Sequence, residues 1–140
     1  MTKRKKWIIV VVCISIAMLL VLPSPVSAAT WKGKGGTSTL DYMSSARAFS
    51  WSVKPATKRK YSFSGSITIK SANKKVKYGT MYIDGSGKGR VSGVKYIPKS
   101  IKKKLKAGKT YYAAYSGYCI DSANYTFYIP SGIGISFAYN

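Results

Sequence analysis

The sequence predicts an all-β fold: a single antiparallel β-sandwich or barrel of about seven short strands, with one short basic helix in a connection. Three observations predict it. From Ala46 onward, apolar and hydroxyl-bearing residues alternate with period two, which suits strands that bury one face and wet the other. Clusters of Gly, Pro, Asn, Asp and Lys interrupt the alternation about every ten residues, the spacing of turns in a small antiparallel body. One segment, Ile97 to Gly108, departs from period two and spaces its apolar residues four apart.

In chain order, Phe49, Trp51 and Val53 alternate with Ser50 and Ser52 as a first strand, and Pro55 to Lys60 (PATKRK) turns the chain. Tyr61 to Lys70 alternates over ten residues and is the clearest strand in the sequence. Ser71 to Lys75 is a turn, Val76 to Ile83 a third strand, Asp84 to Gly89 a loop and Arg90 to Ile97 a fourth strand. Beyond the lysine-rich connection, Thr110 to Ile120 is a tyrosine-rich strand and Asp121 to Asn124 a turn. Tyr125 to Ile129 and Ile133 to Tyr139 complete the set. Thr30 to Ser45 does not follow the pattern. Its Gly33, Gly35 and Gly36 predict a flexible lead-in over 29–45, with only Leu40 to Met43 suited to an extra strand, and 46–140 is expected to be a single β domain.

Ahead of this body, Lys3, Arg4, Lys5 and Lys6 precede an apolar run from Trp7 to Leu22, interrupted only by Ser15. Pro23 and Pro25 end the run, and Val26-Ser27-Ala28 fits a small-x-small cleavage pattern. The run is sixteen residues long, short of the roughly 20 that a spanning helix needs. Residues 1–28 are therefore expected to be a secretory signal peptide, and the protein to be secreted, extracellular or wall-associated.

Export changes the charge balance. The chain holds 24 Lys and Arg against three acids; four of the basic residues leave with the leader, so twenty remain and the formal charge is +17. Such a surplus attracts polyanions at long range, an effect that salt screens. Cys13 also leaves with the leader, so Cys119 stands alone and no intrachain disulfide forms. A small buried thiol is the expectation there, and an intermolecular disulfide the alternative.

Histidine and glutamate are absent. That excludes histidine-dependent triads and metal sites and leaves any carboxylate chemistry to Asp41, Asp84 and Asp121. Asp84 and Asp121 head turn-like sequences, IDGSG and IDSAN, in which an aspartate bonds the local backbone. Gly85-Ser-Gly-Lys-Gly lacks the spacing of a phosphate loop and the acids of a calcium loop. No catalytic residue, metal or cofactor is expected. Asn124-Tyr125-Thr126 is a glycosylation sequon, used only if the host glycosylates exported chains.

Binding residues are better supplied. Lys99, Lys102, Lys103, Lys104, Lys106 and Lys109 crowd one connection without an acid among them, and they are the candidate contacts to an anionic surface. Ile97, Ile101 and Leu105 fall at i, i+4 and i+8 on one side of a helix that Pro98 would open and Gly108 would cap. A helix this short needs its stripe packed on the sheet or laid in a lipid interface, so these three are the candidate membrane-facing residues. Tyr111, Tyr112 and Tyr115 are the candidate aromatic contacts, because tyrosine beside lysine stacks on sugar rings or bases.

The resulting expectation is a secreted, strongly cationic, β-rich protein that binds anionic cell-envelope components, either wall polymers or anionic lipid, with antimicrobial action as one form. The alternative is a non-lytic structural or adhesive protein of the wall or matrix. Nucleic acid would bind only non-specifically. Thr30-Trp31 with Gly33 after the leader resembles, over a few residues only, the small lactococcin-972-type bacteriocins. They are exported β-sandwiches, and this chain is much longer than they are.

Overall fold

The computed structural model describes residues 27–130 and 132–140. The expected leader, Cys13 included, lies outside the described residues except for Ser27 and Ala28. In order come β1 (Ala28–Gly33), β2 (Gly36–Met43), β3 (Ala48–Pro55), β4 (Tyr61–Ser71), β5 (Lys77–Gly87) and β6 (Val91–Tyr96). Among the described residues one short helix, α1 (Lys99–Lys102), leads to β7 (Thr110–Asp121), β8 (Thr126–Tyr128) and β9 (Ile133–Ala138). The protein is all-β, with two antiparallel sheets. One sheet has the order β1-β2-β3-β6; the other runs β5-β4-β7, with β8 and β9 pairing to successive parts of the same side of β7. They do not close into a barrel.

Alternation explains most strands. On β4, Tyr61, Phe63, Ile67 and Ile69 are buried while Ser62 and Ser64 face water. On β3, Phe49, Trp51 and Val53 point inward. Phe49 meets Phe137 of β9 edge-on at 5.2 Å, Trp51 meets Phe63 at 5.2 Å, and Trp31 of β1 meets Tyr115 of β7 at 6.1 Å. Inward rows of both sheets thus share one aromatic core. Trp51 also underlies the open edges β6 and β5: a Cβ on Gly93 would stand 2.7 Å from its ring and one on Gly85 3.3 Å. Only glycine lets both backbones approach that indole.

The segment expected as a flexible lead-in is instead a hairpin. β1 and β2 pair from Ala28↔Asp41 to Gly33↔Gly36, with Lys34-Gly35 as a two-residue turn, and β2 pairs with β3 along its length. Gly36 has φ +124°, and a side chain there would collide with the Lys54 carbonyl. The glycines therefore satisfy a geometry that other residues cannot. This hairpin raises the expected seven strands to nine among the described residues. A second difference lies in β5, which continues through Gly87. Asp84 is consequently an exposed mid-strand residue opposite Ser64, not the head of a turn.

The helix expected over Ile97–Gly108 shrinks to four residues. Lys102 and Lys103 donate to the carbonyls of Pro98 and Lys99 at 3.0 and 3.1 Å, a helical pattern with Pro98 as the N-cap rather than the first helical residue. Lys104 and Leu105 then donate three residues back, at 2.9 and 3.0 Å, which tightens the last turn. Tertiary acceptors end it. The Tyr111 hydroxyl takes the Lys106 amide at 2.7 Å, and the Tyr139 carbonyl takes the Gly108 amide at 2.7 Å. Gly108, at φ +84°, serves that later turn and does not cap a helix.

Candidate functional site

Register decides where the charge goes. Ala48 pairs with Tyr96 and Ser71 with Tyr111, so the β2–β3 turn, the β4–β5 turn and the β6–β7 connection emerge at the same end of the molecule. Hydrogen bonds tie them together: the Ile97 amide donates to the Arg47 carbonyl at 3.0 Å, and the Lys104 side chain donates from Nζ to the Tyr78 carbonyl, at the start of β5, at 3.4 Å. This pole presents ten cations, namely Arg47, Lys74, Lys75, Lys77 and the lysines at 99, 102, 103, 104, 106 and 109. None of the three connections contains an acid.

Each connection is shaped locally. In the β4–β5 turn, Ser71 Oγ donates to Asn73 Oδ1 at 2.6 Å, and the same oxygen accepts the Lys75 amide at 3.0 Å. Lys74 adopts φ 64° and sets its Nζ 4.4 Å from the centre of the Tyr112 ring. Arg47 donates to the Asn140 carbonyl at 2.8 Å and lies 4.8 Å from the Tyr139 ring centre. In the β6–β7 connection, Lys99, Lys103, Lys104, Lys106 and Lys109 are exposed and Lys102 is half-buried.

Ile97, Ile101 and Leu105 are 1%, 5% and 8% exposed and belong to the core cluster. They are anchors inside the fold and not a membrane-facing stripe, because packing against the sheets satisfies them. Tyr111 and Tyr115 are also core, at 3% and 1% exposed. Their hydroxyls serve the interior, Tyr111 at the Lys106 amide and Tyr115 on the Ser52 carbonyl at 3.3 Å. Of the three proposed aromatic contacts, only Tyr112 is half-open, and Lys74 covers it.

The exposed rings are others. Tyr82, Tyr96, Tyr118, Tyr125 and Tyr128 stand in solvent. Strand parity places Tyr118 on the same face of β7 as Tyr112 and opposite to the buried Cys119. That alternation carried the information, but its phase was open until the register was known.

At the opposite pole, a buried aspartate joins two turns. Asp121 Oδ1 accepts the amides of Ala123 and Tyr125 at 2.9 and 3.0 Å; Oδ2 accepts the Thr57 hydroxyl at 3.0 Å and lies 3.8 Å from Arg59 Nη1. Burial alone would raise the carboxyl, but the bonds from Tyr125, Thr57 and Ala123, with Arg59 nearby, outweigh it and hold it below the usual aspartate range. Here the expectation of an aspartate bonding its own turn matches the geometry, with the addition of a second turn. Cys119 is buried beside this region, and burial pushes its thiol up to about 11. It is therefore protonated at neutral pH, and an intermolecular disulfide would require the strand to open.

Chemically, the first pole offers many ammonium groups on a framework fixed by buried anchors, which suits an extended polyanion better than a small ligand. Fold and site define a class: an all-β protein of two antiparallel sheets that carries most of its positive charge on the connections at its two ends. No protein-family model matches the chain, and no curated protein does.

Proposed function

We propose that the protein is exported and binds anionic components of the cell envelope through the pole built by the β2–β3, β4–β5 and β6–β7 connections. Its body acts as a β-sandwich, a reading supported by the ring contacts between the two sheets. The observation that carries the functional reading is the set of five exposed lysines, with Lys102 half-buried among them, held by three inward apolar anchors. Envelope polymers and anionic headgroups both offer repeated negative charge to such an array. Burial of Ile97, Ile101 and Leu105 favours the non-lytic form of this reading, since lipid insertion would first have to pull them from the core.

Removing lysines tests it. Each lysine near an anionic surface contributes about 1 kcal/mol. Lys99, Lys103, Lys106 and Lys109 changed together to Gln should lower affinity for anionic vesicles or wall polymer by up to about a thousandfold at low salt. The same number of changes at Lys32, Lys34, Lys54 and Lys88, away from this pole, should cost much less. Equal losses from the two sets would remove the pole from the account. Dye-loaded anionic vesicles should bind the protein and stay sealed; leakage would instead support an antimicrobial, inserting protein.

A further inference from the structure

The opposite pole holds an arrangement that general attraction between charges does not explain. The Asp121 carboxylate draws Thr57 and Arg59 of the β3–β4 turn onto the β7–β8 turn, and Ser122 adds a 2.9 Å bond to the Lys60 carbonyl. A carboxylate with 1% of its side chain exposed thereby holds the turn that carries Lys58, Arg59 and Lys60 against the turn that carries Tyr125. The Arg59 guanidinium lies 6.0 Å from the Tyr125 ring centre. Register then continues the surface. Tyr118 and Tyr128 sit directly opposite each other on β7 and β8, with ring centres 6.3 Å apart. They are 41% and 71% exposed. Beside them the outward positions of β4 include Ser62 and Ser64, β7 adds Ser116 and Ile120, and β5, the far edge strand, carries Ser86 and the exposed Asp84 carboxylate; a shallow depression runs between Lys60, Ser62, Ser86, Ile120 and Asn124, on the lysine side of Asp84.

We infer that this corner is a binding site for an acidic polysaccharide, with Tyr118 and Tyr128 against sugar rings, serines on sugar hydroxyls, and Lys58 and Lys60 on the acid groups. Three features select that chemistry. Exposed tyrosine faces suit the apolar faces of pyranose rings. Rows of hydroxyls suit a ligand that carries hydroxyls itself, whereas an acyl chain would cover them without giving them partners. Lysines at the end of the same face, with Lys60 lining the depression beside Ile120, complement acid groups on the same polymer. The inference rests on the envelope-binding reading only for the presence of such a polymer; the site itself is a different one.

The test uses the full chain against polygalacturonate, which has rings and acids, polyphosphate, which has acids alone, and dextran, which has rings alone. The Y118A/Y128A variant should lose at least tenfold in affinity for polygalacturonate and less than twofold for polyphosphate, with dextran bound weakly throughout. Y118F/Y128F keeps the rings and should retain polygalacturonate binding. Y128A, at the most exposed of these rings, guards against a folding defect and should show the same selectivity. K58Q/K60Q should weaken polygalacturonate binding and flatten its salt dependence. Equal losses on both polyanions, or none on polygalacturonate, would overturn the site while leaving polyanion binding in place. Failure of the unaltered protein to bind any polyanion would instead sink the envelope-binding reading. A self-association abolished by Y118A/Y128A in sedimentation would assign the surface to contact between copies and also overturn the inference.

Discussion

At one pole, six lysines ride on a connection whose amides are tied to Tyr111 and Tyr139 and whose apolar side chains are sunk in the core. At the other, Lys58, Arg59 and Lys60 ride on a turn held by a buried aspartate. Apolar anchoring leaves the lysines of the first pole without an ionic partner in their own connections, so their charge is directed outward. Ionic anchoring at the second uses Arg59 internally, near the Tyr125 ring, and leaves Lys58 and Lys60 exposed on the same turn. The same residue types thus give a diffuse array in one place and a defined corner in the other.

Mutation should affect the two poles separately. The largest effect belongs to Ile101, which packs against Gly79 and is 5% exposed. Ile101→Ala should destabilise the protein by about 3 kcal/mol in urea unfolding, as expected of a truncated core isoleucine, and should loosen the first pole specifically. Next is Asp121→Asn, which keeps one acceptor oxygen but removes the charge facing Arg59 and the second carboxylate oxygen. Its melting temperature should fall, and hydrogen exchange at the Ala123 and Tyr125 amides should accelerate while the first pole stays protected.

Acid separates the poles in the same way. The folded Asp121 carboxyl is depressed, so its stabilisation is complete above the unfolded aspartate pKa and is lost as pH falls through the lower folded value. Melting temperature should therefore drop on acidification below the ordinary aspartate range. Asp121→Asn should remove that part of the drop, and an unchanged acid profile in the variant would assign the drop elsewhere. The smallest effect concerns the first pole itself. Replacing Lys99, Lys103 and Lys106 by Gln should change stability by no more than about 0.5 kcal/mol, with a slight gain at low salt from reduced self-repulsion. A large loss there would mean that these lysines hold the fold together.

Much of this was legible in the sequence, for identifiable reasons. The long alternation of β4 and the shorter one of β3 fix both the strands and their buried faces. The four-residue spacing of Ile97, Ile101 and Leu105 correctly puts them on one side, and all three are inside. Helix length was not legible, because the acceptors that end it, the Tyr111 hydroxyl and the Tyr139 carbonyl, come from distant positions. The β1–β2 hairpin was hidden by Ser38 in an inward row and by glycines that resemble a linker while serving a tight turn. For tyrosines, period two separates neighbours but does not say which set is outside. Among the candidate contacts Tyr111 and Tyr115 are core, while Tyr118 and Tyr128 stand outside.

The position of Trp51 gives the molecule an optical gauge. Its indole is buried, under Gly93 of β6 and close to Gly85 of β5, whereas Tyr118 and Tyr128 stand on the outer face of the other sheet. Separation of those two edges would admit water to the ring and shift its fluorescence to longer wavelengths. Ligands that load either pole without prising the edges apart would leave that part of the emission unchanged. One intrinsic fluorophore therefore distinguishes occupation of the surface from opening of the fold.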